Sequence, residues 1–72
     1  MVEKTIELTG TSTNSIEDAV GLAVARAAAT LKGLKPEVEV DKISAVVDAE
    51  GAVTAWRVRV RVNFAVQEQL HE

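Results

Sequence analysis

Apolar and polar residues alternate without a break over residues 56–64. Successive side chains on a strand point to opposite faces. Trp56, Val58, Val60, Val62, Phe64 and Val66 therefore share one apolar face, while Arg57, Arg59, Arg61 and Asn63 share the other. This pattern predicts a long strand with one side in a core and a basic stripe on its back. Residues 2–9 read as an earlier strand, in which Lys4, Ile6 and Leu8 alternate with Glu3, Thr5, Glu7 and Thr9. Residues 37–47 read as a further strand with a phase break. Val38 and Val40 keep one parity, and Ile43, Ala45 and Val47 the other. One extra residue near Asp41 and Lys42 produces such a break, the sign of a β-bulge.

The period changes between the first two strands. Ile16, Val20, Ala23, Ala27, Leu31 and Leu34 recur at helical spacing, which predicts a helix over residues 14–34. Gly10, Thr11, Ser12 and Thr13 read as the turn before it. Asn14 or Ser15 suits the N-cap, because Glu17 and Asp18 follow each by three residues, a capping-box spacing. Gly33 and Pro36 suit its end. The face away from the core carries Gly21, Leu22, Ala25, Ala28 and Ala29, small or apolar and uncharged. Helix propensity explains alanines there. So does a neighbouring backbone that covers this face. Residues 48–51 form the turn into the last strand, and residues 67–72 read as a polar, flexible tail.

The expected fold class is α+β with the order β-α-β-β. A helical crossover makes the first two strands parallel, and the last two form a hairpin. The economical result is a three-stranded sheet of order 1-3-2, the third strand antiparallel to both neighbours, packed on one helix. The basic stripe then faces Glu3, Thr5 and Glu7 on one side and Glu37 and Glu39 on the other. Two readings of the stripe remain open. It is charge pairing across a solvated sheet, where each opposite pair contributes roughly 0.2–1 kcal/mol. Alternatively, it lines a subunit interface or a ligand pocket, for which the planar arginine fork is suited.

Length and composition narrow the chemistry. A chain of 72 residues makes a single domain over residues 1–72. One core of this size supplies about 3–5 kcal/mol, so small domains lean on disulfides, metals or association. The chain has no cysteine, which excludes disulfides and thiolate zinc and leaves association. The net charge of −3 argues against nucleic acid as a partner. No apolar run approaches the ~20 residues of a membrane span, and the N-terminus lacks a signal-peptide pattern. The expected location is cytoplasmic. His71, the sole histidine, lies in the tail, so neither a histidine base nor a histidine metal cluster is expected. The hydroxyls of residues 11–15 have no base partner, and the turn lacks the glycine spacing and lysine of a phosphate loop. Asp48 and Glu50 are too few for an EF-hand. Nothing points to an enzyme.

The segment Ile6-Glu7-Leu8-Thr9-Gly10-Thr11-Ser12, the helix with Ala23-Val24-Ala25-Arg26-Ala27, and Trp56-Arg57-Val58 followed by Val62-Asn63-Phe64 together resemble the dodecin family. The resemblance spans residues 4–66 and matches the element order. It implies a homododecamer forming a hollow cage with cubic symmetry, and thus a cover for the outer face of the helix. It implies a small-ligand binder that stores flavin (FMN or riboflavin), held in pairs at subunit contacts. In the family the flavin ring stacks on a tryptophan at the start of the second strand and meets a glutamine on the third. Here the stacking position holds Pro36, or Glu37 with a one-residue shift, next to Val38, and the glutamine position holds Arg57. An arginine donates hydrogen bonds but accepts none. Some family members bind calcium instead, and Glu37, Glu39 and Asp41 form the acidic set for that alternative; the further alternative is a structural cage with no tight small-molecule ligand.

Overall fold

A computed structural model describes residues 2–30 and 34–66. The order is β1 (Val2–Ser12), α1 (Ile16–Thr30), β2 (Leu34–Val47) and β3 (Val53–Val66). The sheet order is β1-β3-β2, with β3 antiparallel to both neighbours. The expected β-α-β-β topology is therefore the observed one.

Two boundaries differ from the sequence reading. Leu34 belongs to β2, not to the helix, and α1 is described only as far as Thr30. Proline disfavours the helical region for the residue before it, so Pro36 holds Lys35 extended and the strand starts early. Leu31 and Gly33, expected in the helix and at its closing end, lie outside the described residues, as do 67–72. Gly10, Thr11 and Ser12 are not a turn. They continue β1 and pair with Val58, Arg57 and Trp56.

Gly10 is required for space rather than for dihedral freedom. A Cβ there would lie 2.1 Å from the Ala19 carbonyl oxygen and 3.3 Å from the Ala23 Cβ. The helix comes this close because its inner stripe is small. Ala19, Ala23 and Ala27, one helical turn apart, are buried against Val58, Val60 and Val62 of the central strand. Ile6, Leu8, Ile16, Val20 and Val38 pack around that cluster. Among the described residues no fully buried side chain is larger than valine.

Ser12 joins strand to helix. Its buried hydroxyl donates to Asp18 Oδ2 at 2.7 Å and accepts from the backbone N–H groups of Asn14 and Ser15 at 2.9 and 3.3 Å. Ser15 Oγ accepts from the Asp18 N–H at 2.9 Å. Ser15 is thus the N-cap. The Asp18 carboxylate turns to Ser12 rather than back to the cap residue's own N–H.

At the hairpin, Asp48 Oδ1 accepts from the N–H groups of Glu50 and Ala52, both at 2.9 Å. Gly51 takes a φ of 87°, a left-handed conformation in which a β-carbon is crowded.

The helix packs mainly on β1 and β3 and only slightly on β2. A fifteen-residue helix spans roughly 22 Å, whereas a fourteen-residue strand spans about 46 Å. The hairpin therefore runs beyond its cover. Val40 and Ile43, opposite buried Val60 and Val58, are each 49% exposed. Leu22 on the outer helix face is 51% exposed.

Candidate functional site

The back of the sheet carries the charged side chains, and strand register sets their neighbours. Arg61 lies between Glu7 of β1 and Glu39 of β2, Arg59 between Thr9 and Lys42, and Arg57 between Thr11 and Ser44. The β2 register slips between Val40 and Lys42, so the predicted bulge falls at Asp41. A bulge re-aims a side chain. Here it sends the Asp41 carboxylate between two arginines, with Oδ2 2.8 Å from Arg59 Nε and Oδ1 3.3 Å from Arg61 Nη2.

Arg61 also meets Glu7 Oε2 at 3.2 Å and Glu39 Oε1 at 3.4 Å. The hydrogen bond to Glu7 first, and then the charge of Asp41, push its pKa further above the ordinary arginine value. Arg61 is a cation at every accessible pH.

The stripe therefore divides by residue. Arg61 faces three carboxylates, Arg59 faces one, and Arg57 has no acidic partner among the described residues. Cross-strand charge pairing accounts for Arg61 and for one edge of Arg59, and leaves Arg57 unexplained. Glu3, expected to flank the arginines, lies opposite Ala65 instead. Glu37 falls within the β2 register shift between Leu34 and Val38, with no arginine opposite it.

At the unpaired end the sheet is hollowed. A cavity of about 190 Å³ is lined by Thr9, Lys42, Ser44, Arg57 and Arg59. It is smaller than the roughly 300–1,000 Å³ that encloses a drug-sized ligand.

Of the site residues expected from sequence, only Arg57 lines this cavity. Val38 faces the helix layer, partly buried against the core and opposite Val62. Glu37 is exposed. Pro36 lies in β2, its side chain outside the described set. Val62 is five residues from Arg57, a separation of about 17 Å along a strand. Residues 36–38 and Arg57 therefore sit at different ends of one protomer's sheet. Glu39 and Asp41 come together on Arg61. Among the described residues no three acidic or histidine side chains form a metal cage, and no helix is long and apolar enough to cross a membrane.

Thr9, Lys42 and Ser44 were not singled out from sequence as pocket residues. The signal was present in the register: once the bulge at Asp41 is placed, Lys42 and Ser44 fall opposite Arg59 and Arg57.

One helix packed on a three-stranded antiparallel sheet of order β1-β3-β2, with an exposed apolar edge on β2 and a polar cavity on the back of the sheet, defines a small α+β class of domain. The dodecin family model matches residues 2–67. The chain belongs to the dodecin family. It is similar to an arginine-to-alanine variant of the Thermus thermophilus dodecin, with 38% identity, 94% of this chain and 97% of that one covered, and a TM-score of 0.84. It is similar to dodecin from Streptomyces coelicolor, with 31% identity, 94% of each chain covered and a TM-score of 0.84. It also resembles the calcium-chelating immunodominant antigen of Mycobacterium tuberculosis, calcium dodecin, with 28% identity over the whole of both chains and a TM-score of 0.80. No curated protein matches the sequence.

Proposed function

We propose that the protein is a non-enzymatic homododecamer that binds flavin, FMN or riboflavin, at contacts between its subunits, with an affinity below that of a pocket carrying the family's tryptophan and glutamine. The observation that carries this reading is the cavity around Arg57, the position that corresponds to the family's ring-binding glutamine. Its small volume and its distance from residues 36–38 fit a pocket completed by a second copy. The exposed Val40, Ile43 and Leu22 supply apolar surface for the association that a core of valine and alanine calls for.

In this reading Arg57 donates to a flavin carbonyl, and Glu37, with Pro36 and Val38, takes the place of the stacking wall. An aromatic ring contact contributes about 0.5–1.5 kcal/mol beyond its buried area. Its loss weakens binding by roughly two- to tenfold per contact. The test is a fluorescence titration of ligand-stripped protein with riboflavin and FMN, run beside the double variant Glu37→Trp, Arg57→Gln. Stronger flavin quenching by the double variant supports the pocket assignment. Equal quenching by both proteins removes it.

The full-length likeness to calcium dodecin favours one second reading, calcium binding through Glu37, Glu39 and Asp41. Glu39 and Asp41 already hold Arg61, so this site needs their release or a partner copy's oxygens. A calcium-dependent rise in melting temperature that is lost in Asp41→Asn would favour it over flavin.

A further inference from the structure

We infer that Asn14 is a site of spontaneous deamidation, restrained by the Ser12 hydroxyl. Asparagine is among the thermolabile residues. It loses its side-chain amide when the backbone nitrogen of the following residue reaches the side-chain carbonyl carbon. The chain has two asparagines, Asn14 and Asn63, and the fold treats them differently. Asn63 is half-buried in the central strand β3, opposite Thr5, and its Oδ1 accepts from Thr5 Oγ1. The bulky Phe64 follows it. Asn14 is exposed and lies between β1 and α1, outside any strand ladder. Its side-chain amide has no hydrogen-bond partner among the described residues. Ser15 follows it, and so small a side chain leaves the backbone nitrogen open to approach.

The same segment holds the nucleophile back. The Ser15 N–H donates to Ser12 Oγ at 3.3 Å, and the Asn14 N–H donates to the same oxygen at 2.9 Å. One hydroxyl oxygen serves two donors, and the Ser15 bond is the longer and weaker. Ser12 is itself anchored by its donation to Asp18 Oδ2 at 2.7 Å. When the Ser15 bond opens, hydroxide takes the N–H proton. The Ser15 nitrogen then bonds to Asn14 Cγ, the bond from Cγ to the side-chain nitrogen breaks, and that nitrogen takes a proton from water and leaves as ammonia. Water opens the five-membered imide at either carbonyl, which leaves an aspartate or an isoaspartate at position 14. The chain becomes one unit more negative than its net charge of −3, with the new carboxylate beside the positive end of α1. Isoaspartate also adds a methylene to the backbone between the two N–H groups that Ser12 holds, and so loosens the entry to the helix.

The experiment is a time course of the intact, folded protein in warm, mildly alkaline buffer, read by peptide mass mapping that separates isoaspartate from aspartate. Conversion at Asn14 is expected ahead of any at Asn63, as a mixture of the two products, at a rate that rises with pH. Ser12→Ala frees the Ser15 N–H and is expected to convert about two- to tenfold faster, the worth of one hydrogen bond. Gly51→Ala is the control for lowered stability, since it strains the hairpin turn and leaves Ser12 in place; it is expected to convert at the wild-type rate. Circular dichroism before incubation checks that each variant is folded. The comparison of Asn14 with Asn63 is made within the wild type and stands even where Ser12→Ala does not fold. No conversion at Asn14, conversion equal to that of Asn63, or aspartate without isoaspartate overturns the inference. So does a folded Ser12→Ala that converts no faster than the wild type or than Gly51→Ala.

Discussion

Replacing Gly10 with alanine tests how closely the helix lies on the sheet. The new Cβ would sit 2.1 Å from the Ala19 carbonyl oxygen and 3.1 Å from its carbonyl carbon. Carbon–oxygen contacts lie at about 3.3–3.6 Å even when attractive, so the helix must withdraw by roughly 1 Å from β1 at this point. The clashing atom belongs to the helix backbone and cannot rotate aside. Withdrawal loosens Ala19 and Ala23 from Val58 and Val60, which form much of the buried core. Overpacking of this kind costs about 1–3 kcal/mol, offset by the 0.4–1 kcal/mol or so that alanine gains through a less flexible unfolded chain. The net loss is roughly 1–2 kcal/mol, a large share of the ~3–5 kcal/mol that one such core supplies. Urea unfolding at fixed protein concentration, followed by Trp56 fluorescence, measures it. Gly21→Ala is the comparison, since a Cβ there meets nothing within 4 Å and alanine favours a helix by up to ~1 kcal/mol. A Gly10→Ala midpoint equal to or above the wild type, at unchanged slope, would refute the close-approach argument.

Ser12→Ala removes the acceptor for two N–H groups and the donor to Asp18, and should lower unfolding stability by about 1–3 kcal/mol. Ser12→Thr, which keeps the hydroxyl, should recover part of the loss. Gly51→Ala places a Cβ at a φ of 87°, and should cost about 1–2 kcal/mol in the same assay while leaving ligand binding unchanged. Ile43→Glu puts a charge on the half-exposed apolar edge of β2. Light scattering should then find species smaller than the wild-type particle, and an unchanged particle would show that this edge does not serve assembly.

The periodic elements were legible because each buries one face. Alternation around Val58, Val60 and Val62 located β3, and the parity change between Val40 and Ile43 located the bulge. The Gly-Thr-Ser stretch was misread because glycine and hydroxyl residues are turn formers by local propensity. In this fold Gly10 answers a tertiary demand for space and Ser12 a buried hydrogen-bond hub. The helix end was read too long because Leu34 fits the helical period, whereas the restriction imposed by Pro36 acts on the residue before it and admits the strand early. Of the residues that line the cavity, the sequence reading singled out only Arg57 as a pocket residue. Its neighbours Lys42 and Ser44 come from a strand whose register depends on the bulge, and a shift of one residue moves every side chain to the other face. The residues expected as the stacking wall lie on the same chain but too far along the sheet to meet Arg57, and spacing in one sequence carries no information about a second copy.

The measurement that bears most directly on the central claim is native mass spectrometry of the ligand-stripped protein titrated with FMN. It reads assembly and occupancy in one spectrum. The expected result is a particle of twelve 7.7 kDa chains whose FMN adducts saturate and increase in the Glu37→Trp, Arg57→Gln variant. A smaller species, or a twelve-chain particle that takes up no FMN in either form, would contradict it.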